Sequence, residues 1–291
     1  MWPFNKKRAI AASGILQGAV DHHSHILPGV DDGVETMEEA LRILSRYEKI
    51  GIKSVWLTPH IMEDVPNTPE KLIARFEELK AAYKGSIELN LAAEYMIDNN
   101  LHKLLQNNCN AAAESVKQDK NSPSYRRGTS NARCIAEGVK DNSNSPSSKG
   151  EYPQGEGVKE NPLLPIGNKG NHLLVETSYY NPPMRFKETL RQIKSLGYHP
   201  LLAHPERYMY MENDEYRRLR EEGIKFQLNI VSLAGGYGRA VKKKAEWLLE
   251  NRLYSVCGSD LHSEDAIEYI TACKLNNRQI ELMKELLHSN I

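Results

Sequence analysis

Residues 172–207 read HLLVETSYYNPPMRFKETLRQIKSLGYHPLLAHPER, and their pattern decides the fold. Residues 172–176 form a short apolar run of strand length. Residues 184–196 fit a helix, and Gly197 supplies the residue that ends helices in a left-handed turn. A second apolar run follows at 200–204. Strand, helix and strand in that order make a crossover between parallel strands. Working outward, the same alternation predicts strands at 19–23, 54–58, 87–94, 225–229 and 254–260. Thr36 with Glu39 reads as a capping box before Met37, Leu41, Leu44 and Tyr47, and Gly51 closes that helix. Thr68 is an N-cap with Pro69 at the first helical position, followed by the stripe Leu72, Ile73, Phe76 and Leu79. Further helices fit 213–222, 239–251 and 276–289. Seven strand–helix units predict a parallel sheet, most economically closed as a barrel; an open doubly wound sheet is the alternative.

The length of 291 residues suits one such barrel or two average domains. Lys and Arg total 38, as do Asp and Glu, so the formal net charge is zero and a nonspecific nucleic-acid binder is excluded. No apolar run approaches the roughly 20 residues of a membrane span, and residues 1–14 are too short and broken for a secretory signal. The four cysteines (109, 134, 257 and 273) contain no Cys-x-x-Cys pair, so the reading is a cytoplasmic globular protein without a disulfide framework. Cys257 reads as a small core residue of the last strand.

Residues 106–162 stand apart. They contain no Leu, Met, Phe or Trp, and Asn, Ser, Gly and Pro supply 25 of the 57. Such a segment buries too little apolar surface to offset its ordering entropy, so it is expected to be a disordered or loosely ordered insertion. Ala113-Glu114-Ser115-Val116-Lys117, Ala136-Glu137-Gly138-Val139-Lys140 and Gly155-Glu156-Gly157-Val158-Lys159 are near-repeats within it. With so few apolar anchors it reads as an expanded insertion, not a partner-binding tail. The expected organisation is an N-terminal extension over 1–18 and a single domain over 19–291 that the insertion interrupts.

None of the ten histidines falls in the insertion, and several end predicted strands. In a barrel that is the rim where active sites are built. Strand alternation puts His23 and His25 of Asp21-His22-His23-Ser24-His25 on one face, and Asp260-Leu261-His262 repeats the spacing. His60, Glu94, Glu176 and His204 each lie at or just past a strand end, and Asp32 lies in a Gly-Val-Asp-Asp-Gly loop. Nine imidazoles and carboxylates on one rim are costly to desolvate without cations and too many for one ion. Two or three divalent ions are implied; imidazole and carboxylate ligands without thiolate fit Mn, Fe or Zn.

His23-Ser24-His25, Asp31-Asp32-Gly33, Thr58-Pro59-His60, Ala93-Glu94, Val175-Glu176, His204-Pro205-Glu206-Arg207-Tyr208 and Ser259-Asp260-Leu261-His262 together resemble the polymerase-and-histidinol-phosphatase superfamily. Within it they are similar to the bacterial protein-tyrosine phosphatases of capsule and exopolysaccharide clusters. The resemblance implies a distorted (β/α)7 TIM-like barrel with a trinuclear metal site at the C-terminal ends of the strands, most simply manganese. By position, His23, His25, Glu94 and Asp260 would hold one metal; Glu94 would bridge to a second held with Glu176 and His204; Asp32, His60 and His262 would hold a third. Arg207 would grip the phosphate, where the plain alternative is an ion pair with a nearby carboxylate. The implied substrate is a phosphotyrosine protein, such as the tail of a tyrosine kinase that regulates polysaccharide synthesis. The rivals are a small phosphate ester such as histidinol phosphate and a regulatory barrel without activity. A cysteine nucleophile is excluded by inspection: the residues six beyond the four cysteines are Ser115, Lys140, Ser263 and Gln279, none of them arginine. Tyr179-Tyr180 either flank the substrate or pack the barrel mouth. Lys242-Lys243-Lys244 reads as a solvated helix face, and residues 2–8 as a frayed terminus.

Overall fold

The computed structural model describes residues 7–120 and 163–291. Its first half contains β1 (Arg8–Ala9), α1 (Ile10–Ser13), β2 (Ala19–Ser24), α2 (Met37–Ile50), β3 (Ile52–Leu57), β4 (His60–Ile61), α3 (Pro69–Ala82), β5 (Glu88–Leu91), β6 (Glu94–Met96) and α4 (Asn99–Lys120). The second contains β7 (His172–Glu176), α5 (Phe186–Ser195), β8 (His199–Ala203), α6 (Asn213–Glu221), β9 (Lys225–Asn229), α7 (Ile230–Ala234), α8 (Gly238–Glu250), β10 (Val256–Gly258), α9 (Ala266–Ala272), β11 (Lys274–Leu275) and α10 (Asn277–Leu287). The chain divides into one unit over Met1–Gln106 and Asn161–Ile291 and another over Asn107–Glu160. Of the second unit, the described part is the C-terminal portion of α4. All site residues lie in the first.

Strands β2 to β10 pair with one another in parallel, as the alternation predicts. They form a curled sheet ordered β10-β9-β8-β7-β6-β4 and a smaller one ordered β2-β3-β5. The strand expected at 54–58 is interrupted at Thr58-Pro59, where proline has no N–H for a ladder, and resumes as β4. The one expected at 87–94 breaks at Ala92-Ala93 into β5 and β6. Hydrogen bonds carry across both breaks, from Ala92 N to Leu57 O (2.9 Å) and from Glu94 N to Pro59 O (3.1 Å). Beyond β10 the chain reaches β2, with Asp260 N bonded to His23 O (2.8 Å) and His25 N to Leu261 O (2.9 Å). Gly258 permits that approach, because a Cβ there would run into His23 Cβ and would lie 2.6 Å from His23 N.

Alternation then sorts the strand side chains. Leu173 and Val175 of β7, Leu202 of β8 and Phe226 and Leu228 of β9 join the large core shared with the helices. Ala92, Leu174, Leu201, Ala203 and Val256 form a separate buried cluster with Ile166. Glu176 follows Leu174 by two residues, so it shares that second face and projects from its C-terminal end. The helix after Thr36 forms as read, with the Thr36 half of the capping box present, while the helix expected over 184–196 runs from Phe186 to Ser195. Thr36 Oγ1 accepts from Glu39 N (3.2 Å), Gly51 takes φ 97°, and Ala40, Ile43, Leu44 and Tyr47 are buried. A reciprocal capping box is present at α10, between Asn276 and Gln279.

Three expectations need correction. The segment expected to be irregular from 106 starts inside α4, which runs to Lys120; Ala111-Ala112-Ala113-Glu114, Lys117 and Gln118 are good helix formers. Its remainder, 121–162, lies outside the described residues. Arg8–Ala9 is not frayed, since it pairs antiparallel with Lys274–Leu275 and Ile10 is fully buried. Lys244 is not a free surface charge either: its Nζ donates to Tyr208 O (2.9 Å) and Met211 O (3.0 Å). Among the described residues no helix is long and apolar enough to cross a membrane.

Candidate metal centre

The nine residues singled out at strand ends converge. His23 and His25 leave β2, His60 starts β4, Glu94 starts β6, Glu176 ends β7, and His204 follows β8. His23, His25, Glu94, Glu176, His204 and Asp260 are 0–3% exposed. His204 (φ 32°) and Asp260 (φ 51°) both hold left-handed backbone conformations uncommon outside glycine, and such strain collects at functional positions.

The hydrogen bonds around the cluster fix which ring nitrogens carry protons. Gln227 Oε1 accepts the backbone N–H of His204 (3.2 Å), which sets the orientation of that amide. The same oxygen lies 3.0 Å from His23 Nδ1, which must therefore be the donor. His25 Nδ1 donates to Asp31 Oδ2 (2.8 Å), and His262 Nδ1 to the carbonyl of Asp260 (2.9 Å). In its neutral form each of these three imidazoles turns a lone pair inward at Nε2; burial favours that form, whereas Glu94, Asp260 and Asp31 raise the pKa of His23 and His25. His23 Nε2 and His25 Nε2 are only 3.1 Å apart. Glu94 Oε2 lies 3.1 and 3.4 Å from them, and Asp260 Oδ1 lies 3.4 Å from both. Facing lone pairs and carboxylate oxygens repel one another; a cation between them converts the repulsion into coordination. The donor set therefore fits a metal. Two further buried nitrogens, Nδ1 of His60 and of His204, have no hydrogen-bond partner.

Ligand atoms within 4.8 Å of one another fall into three groups: His23, Glu94, His204 and Asp260; His25, Asp32, His60 and His262; and His60, Glu94 and Glu176. The resemblance groups the same residues with His25 beside His23, Glu94 and Asp260, and His25 Nε2 lies within 3.4 Å of all three. His25 also stacks on His262 at 4.1 Å between ring centroids, and His204 turns its Nε2 to Glu94 Oε1 at 3.1 Å. Strand spacing gave the residues, but not the direction in which each imidazole turns.

The electrostatics show how strongly the groups compete. Burial opposes ionisation of Glu94, yet the charge of His23 and the bonds from His204, His23 and His25 hold it well below the usual carboxylate range. Burial and then the charges of Glu94 and Asp260 push Glu176 well above it. Burial and the charge of His25 bring His60 down to about 4.

Arg207, from the turn after His204, lies beside this cluster. Its Nη1 is 3.1 Å from Asp260 Oδ2, and its guanidinium carbon sits 4.0 and 4.1 Å from the ring centroids of Tyr179 and Tyr237. The ion pair weighed as the plain alternative is present, and its carboxylate partner is itself a site residue. Tyr179 lines the site, whereas Tyr180 is 77% exposed. A cavity of about 410 Å3 opens over the cluster, and Arg207 is its only lysine or arginine among the described residues.

Several supporting residues were missed in the sequence. Asp31, the neighbour of Asp32, bonds His25. Asn229 Nδ2 donates to Asp260 Oδ2 (2.7 Å), and its backbone N–H is held by Glu206 Oε1 (3.0 Å). Burial pushes the Glu206 carboxyl up to about 7, against the bonds from Asn229 and Tyr254. For Gln227 a signal existed: an amide between Phe226 and Leu228 in an apolar strand needs a buried partner.

A family model for capsular polysaccharide synthesis, CpsB/CapC, matches residues 19–117 and 155–280. The tyrosine-protein phosphatase CpsB of Streptococcus pneumoniae is 25% identical over 260 residues, covering 85% of this chain and 84% of that one. The tyrosine-protein phosphatase YwqE of Bacillus subtilis is 23% identical over 248 residues, covering 84% and 77%. A crystal structure from work on YwqE and on CpsB of S. pneumoniae, described as unique metal-dependent tyrosine phosphatases, superimposes with a TM-score of 0.59 at 21% identity, covering 92% of this chain and 93% of that one.

Proposed function

We propose a function from this premise: the chain belongs to the CpsB/CapC family of capsular polysaccharide synthesis proteins. It is a metal-dependent protein-tyrosine phosphatase that hydrolyses phosphotyrosine on a protein. The observation that carries this reading is the 3.1 Å approach of two imidazole nitrogens whose other nitrogens are tied to outer acceptors, among carboxylates, in a cavity that also holds an arginine. The names of the relatives supply the substrate class.

His23, His25, Asp32, His60, Glu94, Glu176, His204, Asp260 and His262 are the ligands of two or three divalent ions, manganese being the first choice for imidazole and carboxylate donors. His25 Nε2 lies near both His23 with Glu94 and Asp260 and the group of Asp32, His60 and His262, so the inter-atomic distances support the same nine ligands in either partition. The bonds that join the two sheets favour a distorted (β/α)7 barrel, one domain interrupted by the insertion. Bound divalent ions supply positive charge for the phosphoryl oxygens and acidify water near neutral pH. The chain supplies the rest. Gln227, Asp31 and the Asp260 carbonyl hold three imidazoles in one tautomer. The rings of Tyr179 and Tyr237 fix the plane of Arg207, and one bond to Asp260 leaves other donors of the fork for phosphoryl oxygens. The side chain of Asp32 is 69% exposed and that of His262 31%, so the rim is open to a macromolecule, which favours a protein substrate over a small ester. The tail of a tyrosine kinase that regulates capsule or exopolysaccharide synthesis is the substrate we assign.

Arg207→Ala and His60→Ala test the assignment. Both should lower turnover of a phosphotyrosine peptide by roughly 100-fold or more, the scale for losing a group that stabilises transition-state charge, and the His60 variant should also lose metal. Unchanged turnover in both would remove the proposed site.

A further inference from the structure

The cavity over the metal centre has two chemically different ends. One is ionic, formed by His60, Glu176, His204, Asp260 and Arg207. The other is formed mainly by Val231, Gly236, Tyr237, Ala266 and Tyr269, from the start of α7, the loop before α8 and helix α9, with Ser263 and Asp265 bordering it beside Ala266. Nothing in the phosphoryl chemistry requires this second end. A phosphate dianion is satisfied by the cations and Arg207, so the apolar end serves whatever the phosphate is esterified to.

Its composition narrows that group. Gly236 packs so closely that a Cβ there would lie 2.5 Å from Val231 Cγ1 and 3.9 Å from Tyr269 Cδ1, so these three residues form one continuous wall. Gly236 lets Val231 approach where a side chain would push it away, and Ala266 adds only a methyl group to the lining. Tyr237 already lies against Arg207, which ties the apolar end to the phosphate end. Tyr269 is 54% exposed and Tyr237 38% exposed, an unusual state for large aromatic side chains beside a cavity that already has an ionic end. Flat rings and small residues suit a planar aromatic group, which gains from stacked or edge-on ring contacts beyond simple burial.

We propose that Val231, Gly236, Ala266 and Tyr269 form the subsite for the phenyl ring of the substrate, with Tyr237 joining it to the phosphate-binding arginine. The inference rests on the phosphatase reading for the ionic end and adds the residues that select aryl over alkyl phosphates. Tyr269 is the residue to change, because it is half exposed and its loss leaves the core intact.

The test uses the full-length, metal-loaded protein and two non-hydrolysable probes, phenylphosphonate and methylphosphonate, with binding measured by calorimetry. The wild type should prefer phenylphosphonate by roughly three- to tenfold, the scale of one aromatic contact. Tyr269→Ala should reduce that ratio to near one, and Tyr269→Phe should keep it. In hydrolysis, Tyr269→Ala should raise KM for a phosphotyrosine peptide several-fold with kcat and metal content little altered. Equal binding of the two probes by the wild type, or a preference that survives in Tyr269→Ala, overturns the subsite. A phenyl preference that depends on Tyr269 in a protein that hydrolyses no phosphotyrosine peptide supports the subsite and overturns the catalytic reading instead.

Discussion

Replacing Asp31 by asparagine perturbs the metal centre without touching a proposed ligand. Asp31 Oδ2 accepts from His25 Nδ1 at 2.8 Å and from the backbone N–H of His60 at 3.0 Å, while Oδ1 accepts from Gly33 N at 3.0 Å. Burial opposes its charge, but the bond and charge of His25 and the two backbone bonds hold the carboxyl down at about 2. Three donors converge on two oxygens, and both oxygens are needed. Asparagine keeps the shape but has one acceptor and one donor, so whichever way the amide turns, an N–H faces an N–H. If the clash falls on His25, its ring loses the bond that points Nε2 inward. Losing a hydrogen bond to a charged group costs about 1.5–3 kcal/mol, and outer-shell changes of this kind lower metal affinity by roughly 10- to 100-fold. Titration of metal-free protein against a chromophoric chelator reads that loss directly, with circular dichroism to verify folding. Asp31→Ala removes the acceptor from His25 whichever way an amide would turn, so natively folded Asp31→Ala protein that binds metal within about twofold of wild type would refute the tautomer argument on which the site is built.

Gly258→Ala should destabilise the protein by about 1–3 kcal/mol, the usual range for overpacking. The new Cβ meets His23, and β2 cannot retreat because Asp260 N and Ser259 Oγ both bond His23 O; urea denaturation measures the loss, and a wild-type midpoint would contradict the packing. His172 gives a pH test away from the metals. It is 4% exposed with neither ring nitrogen bonded, and burial, then the charges of Lys225 and His199, lower its pKa from 6.5 to about 4. The unfolded chain takes up the proton first, so this contribution is complete above about pH 6.5 and is lost as pH falls towards 4. Allowing for solvent screening it amounts to about 1–2 kcal/mol, and His172→Gln should flatten that part of the stability profile; a profile identical to wild type would show that the group does not titrate as described. Deleting 107–161, with a short linker joining Gln106 to Pro162, should leave a folded and active protein, since loop-closure entropy changes by only about 0.6 kcal/mol per doubling of length. An insoluble deletion protein would show the insertion to be structural.

The sequence carried the architecture because parallel crossover units announce themselves: apolar runs of strand length alternate with capped amphipathic helices, and ionisable residues stand where the strands end. It could not show that Thr58-Pro59 and Ala92-Ala93 split two strands, since the sheet's curl decides where a ladder breaks. Short elements were invisible for want of periodicity: α7 is five residues long and depends on the Asn229 side chain accepting from Val231 N and Ser232 N. Asp31 and Asp32 are identical in type and adjacent, so nothing local says which one orients an imidazole and which one faces the cavity. Tyr237 and Tyr269 escaped notice for a related reason. They come from a glycine-rich loop and a short helix, and only the closed fold brings them to the rim that holds His204 and Arg207.

Metal-dependent hydrolysis of phosphotyrosine is measured most directly by phosphate release from a phosphotyrosine peptide by manganese-loaded protein, beside a chelated sample and with histidinol phosphate as the competing substrate. The account predicts release from the peptide that the chelator abolishes, with little from histidinol phosphate. Release that survives chelation, or release from histidinol phosphate alone, would contradict it.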